Sequence, residues 1–242
     1  MLFRSASICK LFFPKLFHVH TFHFGNYPFK TKKYKLIESL FWRLPDQLIA
    51  VGEAQKRALI NTYRIPENRI LKVLNGVKKD VPKIDTNLKN LFLSKNIHVI
   101  GSISTLTEQK GIIYLLRAIQ ILSKYRKDFI LLIIGNGPES SFLKNESKLL
   151  NIDQYVFFLG WIPKASSNIM PLFDIFVQAS LWEAMSIVVL EAMSHGIPSI
   201  VTKVGENPFI IKNGINGILV PSRDPDAIAK NLNYLFEKRL QE

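Results

Sequence analysis

Glu183 and Glu191 stand eight positions apart in a run, residues 179–193, that is otherwise uncharged. A carboxylate in apolar surroundings loses hydration and needs a partner, so it is seldom left there without one. Carboxylate oxygens at the end of a strand can accept hydrogen bonds from the hydroxyls of a polar ligand held at the carboxyl edge of a sheet. The competing reading is an exposed loop and helix with ordinary salt bridges. Lys110-Gly111 is a second candidate, because a lysine just ahead of a helix, beside backbone N–H groups that lack acceptors, suits a diphosphate. In a chain with 32 lysines and arginines, a solvated surface lysine is the alternative.

The elements that must position these groups are legible from periodicity. The apolar run 175–178 reads as a strand, 180–186 as a polar loop, and a helix begins near Ile187, with Leu190, Met193 and Ser194 on one face. Gly196-Ile197-Pro198 ends that helix before a strand at 199–201. On one ideal helix, eight residues would leave the two acids about 80° apart, so a loop carrying Glu183 and a helix carrying Glu191 aim them better at one ligand. Upstream, 97–100 reads as a strand, 112–122 as an amphipathic helix, 129–134 as a strand, 141–149 as a helix and 156–159 as a strand. Strands alternating with helices predict a mostly parallel sheet covered on both faces, with ligands at the carboxyl ends of its strands.

Gly101, Gly135, Gly137 and Gly160 each follow a strand candidate. Plain turn geometry and close backbone approach to a ligand both account for Gly135 and Gly137. Neither a Gly-x-Gly-x-x-Gly fingerprint nor a Gly-x-x-x-x-Gly-Lys-Ser/Thr loop is present, which argues against dinucleotide oxidoreductases and P-loop enzymes.

From about residue 21 to 235 the chain resembles the large retaining family of nucleotide-sugar-dependent glycosyltransferases with the GT-B fold, glycosyl transferases group 1 (family 4). The resemblance rests first on Glu183 through Glu191, similar to the family's Glu-seven-residues-Glu motif, continued by Ala192-Met193-Ser194-His195-Gly196-Ile197-Pro198. Val51-Gly52-Glu53, Asn75-Gly76-Val77, Lys110-Gly111, Gly135-Asn136-Gly137-Pro138 and Asn213-Gly214-Ile215-Asn216-Gly217 follow in the family's order. The fold it implies is α/β: a GT-B-type Rossmann-like parallel-sheet domain at 77–242, which binds the donor, with a partial second Rossmann-like domain, on the acceptor side, at 1–76. The implied activity is transfer of a hexosyl-type group from a nucleoside diphosphate sugar, the co-substrate, to a glycan or lipid-linked hydroxyl, with retention, in cell-surface glycan synthesis such as that of lipopolysaccharide. No other cofactor and no metal is implied.

By the same resemblance Glu183 faces the donor sugar and Glu191 accepts hydrogen bonds from the ribose. Lys110 neutralises the diphosphate and stabilises the departing group, while Ile187 and Val188 cradle donor and phosphate through backbone groups. Gly101, Ser102, Gly135 and Gly137 complete the donor site. Two places depart from the pattern. Gly101-Ser102-Ile103 stands where the family commonly has Gly-Arg-Leu, so one of two phosphate cations is absent or supplied elsewhere. Val204-Gly205-Glu206-Asn207-Pro208-Phe209 stands where Gly-Gly is followed by a glutamate; Glu206 or Lys203 are the candidates to compensate, and Phe209 cannot.

A GT-B enzyme has two such domains of similar size, and these 242 residues are few for both. The initial strands of the acceptor domain, and the long C-terminal helix that commonly crosses back to it, are not recognised here. An inactive or incomplete donor-binding subunit that needs a partner chain to complete the fold is therefore the second hypothesis. A nucleotide-sugar epimerase of the same architecture is the third.

Thirty-two basic against nineteen acidic side chains give a net charge of +13, with Lys30, Lys32, Lys33, Lys35, Lys56, Arg57, Lys78 and Lys79 among the early excess. No zinc-finger, helix-turn-helix or RNA-binding pattern accompanies it, so anionic lipid headgroups are the better partner than nucleic acid. The apolar stretch 11–17 can touch such an interface, or can cover a folded neighbour. His18, His20 and His23 invite a metal reading, but their spacing lacks a clean carboxylate or cysteine ligand. A single cysteine, Cys9, excludes an internal disulfide framework and agrees with a reducing cytosol. Residues 1–7 make no convincing signal peptide. The expected location is cytoplasmic, peripheral at the inner face of the cell membrane.

Overall fold

The computed structural model describes residues 8–23, 39, 41–78 and 97–239. They fall into two units, one of Met1–Asn75 with Trp182–Met185, the other of Gly76–Leu181 with Ser186–Glu242. Several expectations lie outside the described residues: the segment 1–7 and Lys30, Lys32, Lys33, Lys35 and Lys79.

In the first unit, β1 (Val19–Phe22), β2 (Gln47–Ala50), α1 (Glu53–Tyr63) and β3 (Ile70–Lys72) build a three-stranded parallel sheet of order β1-β2-β3. The Leu48 and Ala50 side chains alternate inward along β2 and meet Leu59 and Tyr63 of α1, with Phe22, Trp42, Ile65 and Ile70 closing the core. Just ahead of the first strand, His18 N–H donates to Asp46 Oδ2 at 2.7 Å, and Phe17 is 76% exposed. Leu11, Phe12, Phe13 and Leu16 are exposed as well.

The second unit runs β4 (His98–Ile103), α2 (Ile112–Leu122), β5 (Phe129–Ile134), α3 (Ser140–Leu149), β6 (Val156–Gly160), α4 (Ala165–Asn168), β7 (Ile175–Gln178), α5 (Ile187–Ser194), β8 (Ser199–Thr202), α6 (Asn207–Ile210), β9 (Ile218–Val220) and α7 (Pro225–Arg239). All its strands are parallel, in the order β6-β5-β4-β7-β8-β9. Two crossover series therefore diverge from the β4/β7 boundary, the topological switch point at which ligands of such sheets bind. Each residue of β5 is buried, as a central strand covered on both faces requires. One apolar layer joins Leu131 and Ile133 to Leu115, Leu116 and Ile119 of α2 and to Leu232 and Phe236 of α7. The opposite layer joins Leu132 and Ile134 to Phe173, Phe176, Val189 and Ala192.

Two details differ from the periodicity. The strand expected at 97–100 extends to Ile103, so Gly101 lies inside it. The reason is a close packing contact: a Cβ at Gly101 would stand 2.1 Å from the Phe173 ring. Gly160 likewise ends β6 rather than following it. The buried residues of α5 are Val189 and Ala192, with Val188 and Met193 partly buried against the same layer. The stop signal of α5 acts as expected: Gly196 has φ +70°, its N–H donates to Met193 O, and Ile197 N–H donates to Ala192 O, both at 3.0 Å. Among the described residues no helix is long and apolar enough to cross a membrane.

Candidate functional site

The carboxyl ends of β4, β5 and β7 are linked by loops that hydrogen-bond to one another. Ser104 N–H donates to Ile134 O, Leu106 N–H to Asn136 O and Glu139 N–H to Leu106 O, each at 3.0 Å. The approach is so close that only glycine fits: at Gly135 (φ +126°) a Cβ would lie 1.9 Å from Ser104 O, and at Gly137 2.2 Å from Leu106 O. On the other side, Leu181 N–H donates to Gln109 O at 2.7 Å, and Gly111, at φ +59°, lets the chain turn from the short helical turn Glu108–Lys110 into α2. That turn fixes Lys110, whose N–H donates to Thr107 O at 2.9 Å.

Two clefts open at this edge. One, of ≈ 150 Å³, lies over the β4/β7 switch point and is lined by Ser102, Ser104, Thr105, Lys110, Gln178, Ser180, Ser186 and Val188. Lys110 is the charged side chain of that set, which is otherwise rich in hydroxyls. The other, of ≈ 290 Å³, is lined by Gly135, Asn136, Trp161, Val188 and Glu191 and shares Ser104, Thr105 and Val188 with the first. A cation among hydroxyls and a carboxylate across a shared wall can hold an anionic group and a hydroxyl-bearing group side by side. Burial, and after it the neighbouring Glu108, push the Glu139 carboxyl above the usual carboxylate range.

The candidate residues distribute as follows. Ser102 and Lys110 share the smaller cleft; Gly135 and Glu191 share the larger; Val188 lines both. Ile187 opens α5 and is 49% exposed. Gly101 lies against Phe173, and Gly137 against the Leu106 carbonyl. Glu183 belongs to the stretch Trp182–Met185, which groups with the first unit, where Asn75 Nδ2 donates to Met185 O at 3.4 Å. Glu206 is buried at the start of α6, and Phe209 is exposed.

Sequence reasoning missed Thr105, Gln178, Ser186 and Trp161 as lining residues. Trp161 had a visible signal, an aromatic side chain immediately after the glycine that ends a strand, and it is 70% exposed. In the first unit His20 is held neutral: burial, then His18 and His23, lower its pKa from the ordinary 6.5 to about 4. Among the described residues no group of three or more histidines, cysteines or acids is placed to hold a metal ion.

Residues 83–242 match the family model described as glycosyl transferases group 1. The chain is 31% identical over 227 residues to a UDP-Gal:alpha-D-GlcNAc-diphosphoundecaprenol alpha-1,3-galactosyltransferase of Escherichia coli, covering 88% of this chain and 58% of that one. It is 29% identical to an uncharacterized glycosyltransferase of Methanocaldococcus jannaschii, over 92% of this chain and 59% of that one. The chain thus spans roughly three-fifths of the length of these curated relatives. Among solved structures it is similar in fold to Anabaena HepE in complex with UDP-glucose, with a TM-score of 0.87 and 20% identity, over 98% of this chain and 67% of that one.

Proposed function

The chain belongs to the glycosyl transferases group 1 family, and from that premise we propose that its second unit binds a nucleoside diphosphate sugar whose glycosyl group passes, with retention, to a hydroxyl acceptor of a cell-surface glycan. The observation that carries this reading is the pair of adjoining clefts at the β4/β7 switch point, one holding Lys110 among hydroxyls and the other holding Glu191. Lys110 and the first-turn N–H groups of α5 receive the diphosphate, with Ile187 and Val188 contributing backbone. Glu191 accepts hydrogen bonds from ribose hydroxyls. Negative charge grows on the departing nucleoside diphosphate as the glycosidic bond breaks, so a fixed cation stabilises the transition state more than the ground state. The leaving phosphate takes the acceptor's proton on the same face of the sugar, while Glu183 orients the sugar through its hydroxyls. The names of the relatives favour a UDP-hexose as donor.

A second reading has its own observation. The exposed Phe12, Phe13 and Phe17 favour a donor-binding unit that needs a partner chain for transfer. The same aromatic segment, in a chain of net charge +13, favours peripheral contact with an anionic membrane, where a lipid-linked acceptor would be met at the cytoplasmic face.

The test is calorimetric binding of UDP-, GDP- and ADP-sugars to the purified chain, with donor hydrolysis followed in the same samples. Selective binding of one nucleotide supports a working donor site. A folded sample that binds none of them refutes it. Binding without transfer to any hydroxyl acceptor moves the chain to the second reading.

A further inference from the structure

Ser186 is the residue type that caps helices, and it stands at the N-cap of α5 with extended backbone, yet it makes no side-chain capping bond. Its hydroxyl is occupied elsewhere. Gln178 Nε2, at the end of β7, donates to Ser186 Oγ at 2.6 Å. Gln178 Oε1 in turn accepts from Asn207 Nδ2 at 2.7 Å, and the same Asn207 nitrogen donates to the Thr202 carbonyl at 2.8 Å. Gln178, Ser186, Thr202 and Asn207 are all buried. A capping serine typically stabilises a helix, and a buried polar chain is costly unless fully satisfied. This one leaves Asn207 Oδ1 without a partner. The arrangement thus gives up stability at two points, and what it gains is the position of the Ser186 hydroxyl.

Gln178, Ser186 and Val188 line the same small cleft as Lys110. We propose that Gln178, oriented by Asn207, holds the Ser186 hydroxyl away from the end of α5, so that the first-turn N–H group of Val188, which lines the cleft, stays open to the anionic group of the donor. This rests on the donor-binding reading above. Gln178 and Asn207 are positioning residues: neither touches the reacting atoms, and their effect passes through Ser186. The chain lacks arginine in the Gly101-Ser102-Ile103 segment, so an open helix end beside Lys110 compensates for a missing cation with backbone dipoles.

The experiment compares wild type, Gln178→Leu, Ser186→Ala and the double variant. For each, calorimetry gives the affinity for whichever of UDP, GDP and ADP the wild type binds most tightly, and hydrogen exchange of the Val188 amide is followed without ligand. In Gln178→Leu the freed hydroxyl caps the helix, that amide exchanges more slowly, and the nucleotide binds about tenfold more weakly. Removing the hydroxyl in the double variant restores most of the affinity, which a merely structural defect at position 178 would not allow. Where Gln178→Leu fails to fold, Gln178→Met fills similar space without the donor and carries the same expectation. Unchanged affinity in the Gln178 variant, or a double variant as weak as the single, overturns the proposal while leaving the donor site standing. A wild type that binds none of the three nucleotides overturns the donor reading and this proposal with it.

Discussion

The two units solve the same problem, a parallel sheet whose faces must be kept from water, to different extents. In the second, six strands carry an apolar layer on each face, supplied by α2 and α7 on one side and α5 with the Met170–Phe173 segment on the other. In the first, the three described strands share one small core, and the segment that leads into β1 exposes Leu11, Phe12, Phe13, Leu16 and Phe17. Parallel sheets are stable when covered on both faces, as the second unit's is, whereas the first leaves apolar surface exposed. A switch point needs strands on both sides of it, and the larger sheet has one with clefts at its carboxyl ends.

The sharpest way to break this comparison is to cut one side chain from each unit. Leu132→Ala, at a fully buried position of β5, is expected to destabilise the second unit by about 2–5 kcal/mol in denaturant unfolding. Phe12→Ala, 75% exposed, is expected to change stability by less than about 0.5 kcal/mol. A large loss at Phe12 would mean that the segment ahead of β1 is covered rather than exposed.

Next in size is the division of labour. Glu183→Gln is expected to lower transfer about a hundredfold while changing nucleotide affinity much less, because a sugar-facing carboxylate acts mainly in the transition state. Equal transfer by the variant would remove Glu183 from its role. Lys110→Ala should weaken nucleoside diphosphate binding by roughly 1.5–3 kcal/mol, with a much smaller effect on the nucleoside, since only the former offers the anion. Glu191→Ala is expected to weaken nucleotide binding about tenfold without a selective loss of turnover. An affinity that does not move would contradict the ribose assignment.

A further effect concerns pH. His20 has a folded pKa of about 4 against an ordinary 6.5. The stability tied to it is whole above 6.5 and is lost as pH falls through the window from 6.5 to 4. His18 acts in the same direction, its pKa lowered by burial and then by Lys10; Asp46, held low by a hydrogen bond from Lys10, adds a loss further down the acid range. Glu139 in the second unit is raised, so its contribution runs the other way, present at low pH and lost as pH rises through its range. Thermal melts between pH 7 and 4.5 should show His20→Gln flattening the acid loss, and an unchanged profile would discard the assignment.

Much of the second unit could be read from its residues. Strands 129–134 and 175–178 and the helix 112–122 fall where the periodicity places them, because apolar spacing is a local signal. The misplacements have one cause in common. Gly101 reads as the end of a strand because glycine usually punctuates, and it lies inside one because the Phe173 ring needs its missing side chain. Leu190, Met193 and Ser194 read as one face of α5, but spacing gives a stripe and not its direction, and the sheet buries Val189 and Ala192. Ser186 reads as a loop residue next to a helix; which way its hydroxyl points depends on Gln178 and Asn207, the latter twenty-one positions further on.

What the sequence by itself determined is the order of elements, the alternation that forces a parallel sheet, and the residue types available for an anion and for hydroxyls. The tertiary structure alone decided which of them meet: Lys110 with Ser102 and Ser186 in one cleft, Glu191 with Gly135 and Trp161 in the next, and Glu183 in the stretch that groups with the other unit. Periodicity is set by neighbours three or four residues away. The site is set by strand order and by hydrogen bonds between residues far apart in the chain, and neither leaves a local trace.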